Sequence, residues 1–324
     1  MTLNPMRRIG RSFFPIIAFI FFAAPCYAWN STGHEIVAQI AFDNLTPDTK
    51  AKMIAILKLH PRLHQDLLAD AAPGEDPDRA MFLRAATWPD MVRYPINPMS
   101  RTENHGPWHY VDYPYILDDV PAPAVDETWD GKSLPANLLQ AMDKATTELK
   151  DPTTPPDRKA IDLCWVEHLV GDIHQPLHAV SMYSKDYPNG DQGGNALMVK
   201  SSNGNINLHA FWDDAAGMSL DPDVIRKTAD QFEKDHPADS LKDRIADLKV
   251  TDWAKESLAL AKDKVYLNGT IPHTSRQAGE DDPNSVPALP DGYEKTAAEV
   301  ADLRIALAGY RLAAVMEDLA KSQQ

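Results

Sequence analysis

The stretch "EHLVGDIHQPLH", residues 167–178, crowds three histidines and two acids into apolar surroundings. His168 and Asp172 are four apart, so a helix presents them on one face, one turn from each other. Pro176 then ends or bends that helix and swings His178 back toward the same region. His209 and Asp213, in "LHAFWD", repeat the i, i+4 spacing, and Asp90 in "ATWPD" and His109 in "WHYVD" stand upstream. Imidazole nitrogens and carboxylate oxygens are suitable zinc ligands, and a chain without paired cysteines has to rely on them. Each pair alone also reads as an ordinary hydrogen bond on a half-buried helix. Flanked by Leu, Val, Phe and Trp, the pairs together place several polar groups near apolar surface, where charges need partners or a metal.

A further ligand source lies in "APCYAWNSTGHE", residues 24–35. Upstream of it stand Arg7, Arg8 and Arg11 with no acid, then "FFPIIAFIFFAAP", an apolar run of signal-peptide length and short for a spanning helix. Ala28 is small enough to precede a signal-peptidase cut. The reading is that residues 1–28 are a signal peptide and that the mature chain is secreted or periplasmic, starting at Trp29. A freed α-amino group and the Trp29 carbonyl oxygen close a five-membered chelate ring, and His34 supplies a third donor. The same residues also read as a packed indole and a histidine capping a helix.

These groups need rigid elements to hold them. "GHEIVAQIAFDN" places Ile36, Val37, Ile40 and Ala41 on one helical stripe. "LTPDTKAKMIAILK" predicts a helix with Thr46 as N-cap and Pro47 in its first turn. "DRAMFLRAATWPDMVR" is helical up to Pro89, and 94–131 is a long irregular segment rich in proline and aromatics. Helices resume over "LPANLLQAMDKATTELK" and 156–173, then over "NLHAFWDDAA" and within 221–262 and 292–322. Between them, Asn203-Gly204 in "ALMVKSSNGNINL" predicts a hairpin turn. No internal repeat and no βαβ alternation is present. The fold class is mainly α, one helical domain over 29–324 with a small β-hairpin and long loops.

Composition narrows the function. The 324 residues carry a formal charge of −15, and removing the three leader arginines makes it −18. An acidic chain argues against broad electrostatic adhesion to nucleic acid or anionic lipid. Cys164, in an apolar helical run, is left without a partner as a buried, inert thiol.

In order and spacing, "W-x4-H", "WPD", "HY-x-D", "H-x3-D-x5-H" and "H-x3-D" resemble the S1/P1 family of trinuclear-zinc, single-strand-specific nucleases. The resemblance runs from Trp29 to about Asp213 and implies the helical fold shared by that family and zinc-dependent phospholipase C. It implies three Zn2+ per chain. Asp90, His109, His168 and Asp172 hold one ion; Trp29 and His34 hold a neighbour, with Asp172 bridging; His178, His209 and Asp213 hold the third. It further implies that Arg93 grips phosphate, that Tyr110 stacks on a base, and that Asp112 reads the base edge. The implied substrates are single-stranded DNA and RNA and 3′-nucleotides, cut to 5′-phosphorylated products by zinc-activated water that Asp90 helps to orient, with no obligate protein partner. Three zinc ions also bring enough positive charge to one cleft to attract phosphate despite the acidic surface.

Two other readings stand beside it. A phospholipase C acting on phospholipid head groups has the same metal chemistry, but Asp213 in place of glutamate and the long gap from His178 to His209 lean against it. An exported zinc-binding protein without catalysis has no use for Arg93. Outside the ligand set, His174 is expected to support the ligands by hydrogen bonds and His105 to lie in a loop or at the surface. "NGDQGGN", 189–195, forms plain turns or a cleft lip, and Asp214 borders the base pocket.

Overall fold

Local signals set most helix starts. The computed structural model describes residues 29–69, 71 and 74–322; the expected leader lies outside the described residues. Helix α1 (Ser31–Asn44) opens on Asn30, whose side chain accepts from Gly33 N, and α2 (Pro47–Leu57) opens on Thr46 with Pro47 in the first turn. α3 (Pro77–Ala85) ends before Pro89, and a single-turn helix, α4 (Trp88–Met91), follows at once with Pro89 in its first turn. A proline there forfeits no helical hydrogen bond, so the chain restarts where the sequence pattern predicted an end.

The irregular segment holds α5 (Ser100–Glu103), a 3-10 turn at Gly106–His109, and β1 (Pro114–Ile116). After α6 (Leu138–Lys150) and α7 (Pro156–Asp172), a second 3-10 turn at Pro176–Ala179 leads into β2 (Ser181–Tyr183). Then come β3 (Leu197–Ser201), β4 (Gly204–Asn207) and α8 (Leu208–Asp213). α9 (Pro222–Asp235), α10 (Ala238–Ala246) and α11 (Val250–Leu260) precede a π-helical turn at Ala261–Val265. β5 (Thr274–Ser275), α12 (Arg276–Asp281) and the long α13 (Tyr293–Lys321) complete the order.

The hairpin forms, one residue earlier than predicted. Ser201 pairs with Gly204, so Ser202 and Asn203 make the turn and Gly204, at φ 117°, begins β4. β5 extends this sheet along β3, and β1 pairs in parallel with β2 in a separate two-stranded sheet.

Helix α7 is the axis of the structure. Every residue from Ala160 to Asp172 is buried, with α6, α2, α4 and α13 packed around it. A helix covered on all sides shows no amphipathic stripe. Leu163, Trp165, Leu169 and Val170 each stabilise it by roughly 1.5–3 kcal/mol through burial. That apolar surplus lets the same helix carry His168 and Asp172 below the surface. The Cys164 thiol is likewise buried and unpaired, as the sequence predicts.

The C-terminal end of α7 is clamped by a buried polar network. Arg304 Nε donates to the His174 carbonyl at 3.0 Å, and Ser257 Oγ donates to the Ile173 carbonyl at 2.5 Å. Arg304 and Arg311, both from α13, converge on Glu256 at 2.6 and 2.9 Å. Burial works against ionisation of Glu256, but Arg311, Arg304 and Arg244 outweigh it and hold the carboxyl at about 2, against an ordinary 4.5. A pKa depressed by folding stabilises the native state above the ordinary value, and that contribution disappears as pH falls toward the folded value. Here it amounts to roughly 3 kcal/mol, lost between about pH 4.5 and 2. In urea denaturation of the metal-free protein, Glu256→Gln is therefore expected to be less stable at neutral pH, with the gap to the parent narrowing steadily below pH 4.5. A gap independent of pH would contradict this.

Candidate metal centre

Six separate stretches deliver the predicted ligands to one place. His34 comes from the first turn of α1, Asp90 from α4, and His109 from the end of its 3-10 turn. His168 and Asp172 come from α7, His178 from the second 3-10 turn, and His209 and Asp213 from α8. All eight are buried, as is the Trp29 indole. Three groups of possible metal ligands result: His34, Asp90 and His168; His109, His168 and Asp172; and His178, His209 and Asp213.

Asp172 stands between imidazoles on two sides. Its Oδ2 lies 3.2 Å from both His109 Nδ1 and His168 Nε2, and its Oδ1 lies 3.2 Å from His34 Nε2. Asp90 Oδ1 approaches the same nitrogens at 3.8 and 3.9 Å. The His34 and His168 rings stack at 4.1 Å. Burial resists the charge on Asp172, but His168, His109 and His34 hold its carboxyl well below the usual carboxylate range. Burial, reinforced by His168, lowers His34, and burial lowers His109. Burial would lower His168 too, but Asp172 and Asp90 outweigh it and raise that ring; a cation among these groups requires the carboxylate ionised and the imidazoles neutral.

Whether a metal suits these residues is decided by where their protons can be. His168 Nδ1 donates to the Ala86 carbonyl at 2.8 Å, His178 Nδ1 to the His109 carbonyl at 2.5 Å, and His209 Nδ1 to the Gly193 carbonyl at 2.7 Å. A carbonyl only accepts, so each neutral ring carries its proton on Nδ1 and a lone pair on Nε2. The Nε2 atoms of His178 and His209 then face each other across 3.0 Å. Two lone pairs at that distance repel unless a cation or a proton stands between them. Burial also pushes His178 down to about 3, which disfavours a proton on that ring. On the other side, His34 Nδ1 and His109 Nε2 are buried with no hydrogen-bond partner among the described residues. Orphaned polar atoms are uncommon in a native interior, and nitrogen-rich donors of this kind suit zinc.

Gly171 shapes the His34 side of the centre. A Cβ at this position would come within 2.6 Å of His34 Nδ1. Gly171→Ala is expected to cost roughly 10–100-fold in activity or metal affinity by displacing the ring. Alanine otherwise favours a helix interior by about 0.5–1 kcal/mol, so the fold should persist. Zinc titration with circular dichroism checks it: full zinc affinity in a folded variant would contradict the expected displacement.

The remaining predicted residues divide. Arg93 Nη1 reaches Asp90 Oδ1 at 3.2 Å, beside the first two groups. Asp112 is half-buried, its carboxyl pushed up to about 6 by burial and Asp191 against the opposing pull of His209, which places it near the third group. Tyr110 is half-buried in extended backbone, its carbonyl accepting from Leu138 N. His174 does not support the ligands: its ring bonds the Val170 carbonyl at 2.7 Å and Arg311 Nη1 at 2.9 Å, turned toward the arginine network. His105 is half-buried, stacked on Trp108 at 3.9 Å. Asp214 serves the N-terminal segment, accepting from Asn30 Nδ2 at 2.8 Å.

Several supporting residues had no sequence signal. Asn30 fixes the segment next to Trp29: its amide donates to Asp214 and to the Gly217 carbonyl at 2.7 Å, and its backbone N–H donates to the Asp213 carbonyl at 3.2 Å. Gln175 Nε2 donates to Asp213 Oδ1 at 2.6 Å and orients that carboxylate. Asp66 Oδ2 accepts from Trp88 Nε1 and Asn97 Nδ2, both at 3.1 Å, and so ties the two ends of the segment carrying Asp90 and Arg93.

Comparison with known proteins matches residues 29–321 to a family model described as S1/P1 Nuclease. The chain is 29% identical over 309 residues to nuclease S1 of Aspergillus oryzae, covering 92% of this chain and 93% of that protein. It is 26% identical over 245 residues to endonuclease 2 of Arabidopsis thaliana, covering 74% and 71% of the two chains. Endonuclease 4 of the same plant is 24% identical over 319 residues, covering 91% and 90%.

Proposed function

The chain belongs to the S1/P1 nuclease family, and on that premise we propose that it is a zinc-dependent endonuclease and 3′-nucleotidase. It prefers single-stranded DNA and RNA, leaves 5′-phosphorylated products, and works as one domain over 29–324, exported after residues 1–28 are removed. The observation that carries the metal reading is the buried Asp172 carboxylate with one oxygen toward His34 and the other toward His109 and His168. Facing His178 and His209 Nε2 lone pairs give a second cation position next door. Trp29 through its freed amine and carbonyl, His34, Asp90, His109, His168, Asp172, His178, His209 and Asp213 would hold three zinc ions. Bound zinc lowers the pKa of water toward 7 and offsets charge on a phosphoryl group.

The protein's own groups then supply orientation. Asp90 accepts a hydrogen bond from the attacking water and aims it in line with phosphorus. Arg93, whose Nη1 lies 3.2 Å from Asp90 Oδ1, brings its positive charge to the phosphoryl oxygens, where negative charge grows in the transition state. Tyr110 offers a ring for a splayed base, which a single strand supplies at little cost and a duplex does not. Asp112, with its carboxyl at about 6, both donates and accepts at a base edge in mildly acidic solution and only accepts at higher pH. Among the described residues no helix is long and apolar enough to cross a membrane.

Zinc-loaded, processed protein offered single-stranded DNA, duplex DNA and phosphatidylcholine vesicles tests this reading. Rapid release of 5′-phosphorylated fragments from the single strand, abolished by chelator, is the expected result. Lipid cleavage without nucleotide release would replace the nuclease reading with a phospholipase.

A further inference from the structure

The glycine-rich run 189–195 ends up neither a plain turn nor a free lip. Gln192, Gly193 and Gly194 adopt φ of 58°, 60° and 82°, three consecutive left-handed residues. A non-glycine residue in that region costs about 1–2 kcal/mol, so something must hold the loop in place. The loop also presses on the turn carrying His178: a Cβ on Gly193 would lie 2.6 Å from the Leu177 carbonyl oxygen. The outcome of this conformation is that the Gly193 carbonyl points at His209 Nδ1, 2.7 Å away.

Asp191 is the anchor. Its side chain is fully buried, and its two oxygens are occupied by donors from three directions. Oδ1 accepts from Met182 N in β2 at 2.8 Å, three residues beyond the 3-10 turn that carries His178. Oδ2 accepts from Gly194 N at 3.0 Å and from the Tyr266 hydroxyl at 2.7 Å. One oxygen therefore fixes the strand leaving His178, and the other fixes the loop that sets the tautomer and direction of His209.

We propose that Asp191 is the positioning residue for the His178, His209 and Asp213 group, drawing two imidazoles from separate segments into register for one zinc ion. This rests on the reading that this group holds a zinc. Asp191 touches neither metal nor substrate; it acts through the backbone on either side. Ordering a ligand by hydrogen bonds to its supports changes metal affinity or activity by about 10–100-fold.

The test is zinc stoichiometry and competitive chelator titration on the processed full chain. Asp191→Asn replaces one acceptor oxygen with an NH2 group, which loses either the bond from Met182 N or those from Gly194 N and the Tyr266 hydroxyl, according to which way the amide turns. Expected is a folded variant with two tightly held zinc ions and a third weakened roughly 10–100-fold. Tyr266→Phe, which removes a single donor from the carboxylate, should weaken the same ion by a smaller factor and decides the matter if the first variant fails to fold. Unchanged affinity for all three ions, or equal weakening of all three in a folded variant, would leave Asp191 a scaffold residue and overturn the proposal. If the parent itself binds fewer than three zinc ions, the reading underneath it fails, and the role of Asp191 fails with it.

Discussion

Asp172→Ala is expected to lower nuclease activity by at least about a thousand-fold, or some 4 kcal/mol of transition-state stabilisation, and to release two of three zinc ions. The size of the effect follows from the geometry. Oδ1 faces His34 and Oδ2 faces His109 and His168, so on the proposed reading one side chain would serve two neighbouring ion positions. A substitution at one edge of the centre removes one donor from one ion. This one removes the anion on which both positions depend, and the ordinary compensation, a water taking the empty place, cannot restore the charge. Circular dichroism has to accompany the assay, because removing one partner from a buried charged cluster costs about 3–5 kcal/mol of stability. Metal analysis and kcat/KM on single-stranded DNA measure both effects. A variant keeping three zinc ions and more than a tenth of the activity would contradict the bridging role.

The second large effect concerns the chain end. A processed protein carrying one extra alanine before Trp29 is expected to lose one zinc and to fall at least about a hundred-fold in activity, the scale of losing a well-placed electrostatic group. An amine donates a lone pair once deprotonated, whereas an amide nitrogen has that pair delocalised into its carbonyl. The structure leaves no room for Trp29 to adapt. Its indole is fully buried, and a Cβ at Gly33 would lie 2.6 Å from Trp29 Cβ. Asn30 is held by Asp214, Gly217 and Asp213. The extension therefore converts the donor chemically without letting the carbonyl swing in as a substitute. Full activity with the extra residue present would show that the amine is not a ligand.

Much of the centre was legible in the residues because the chemistry repeats at helical spacing. His168 with Asp172 and His209 with Asp213 are both i, i+4 pairs, and each falls on a helix as predicted. Capping residues were legible for the same local reason, as at Thr46. What escaped depends on partners far away in the chain. β1 and β2 are three residues each, too short for alternation to show, and pair only after the chain has folded. Asp191 looks like a turn residue until Tyr266 and Met182 surround it. Asp214 lies beside Asp213, a proposed ligand, and invited a role in the pocket, but Asn30, 184 positions away, claims it. His174 shares the ligand-rich stretch yet faces another side of the chain, where Arg311 waits. The hairpin turn slipped by a residue because Ser202, Asn203 and Gly204 are all acceptable turn formers, and only the pairing of Ser201 with Gly204 selects between them.

Zinc content per chain, measured on nuclease purified after processing and dialysed free of loose metal, bears most directly on the whole account. A value near three, in protein whose first residue is Trp29, is predicted. Fully active nuclease containing one zinc or none would contradict it.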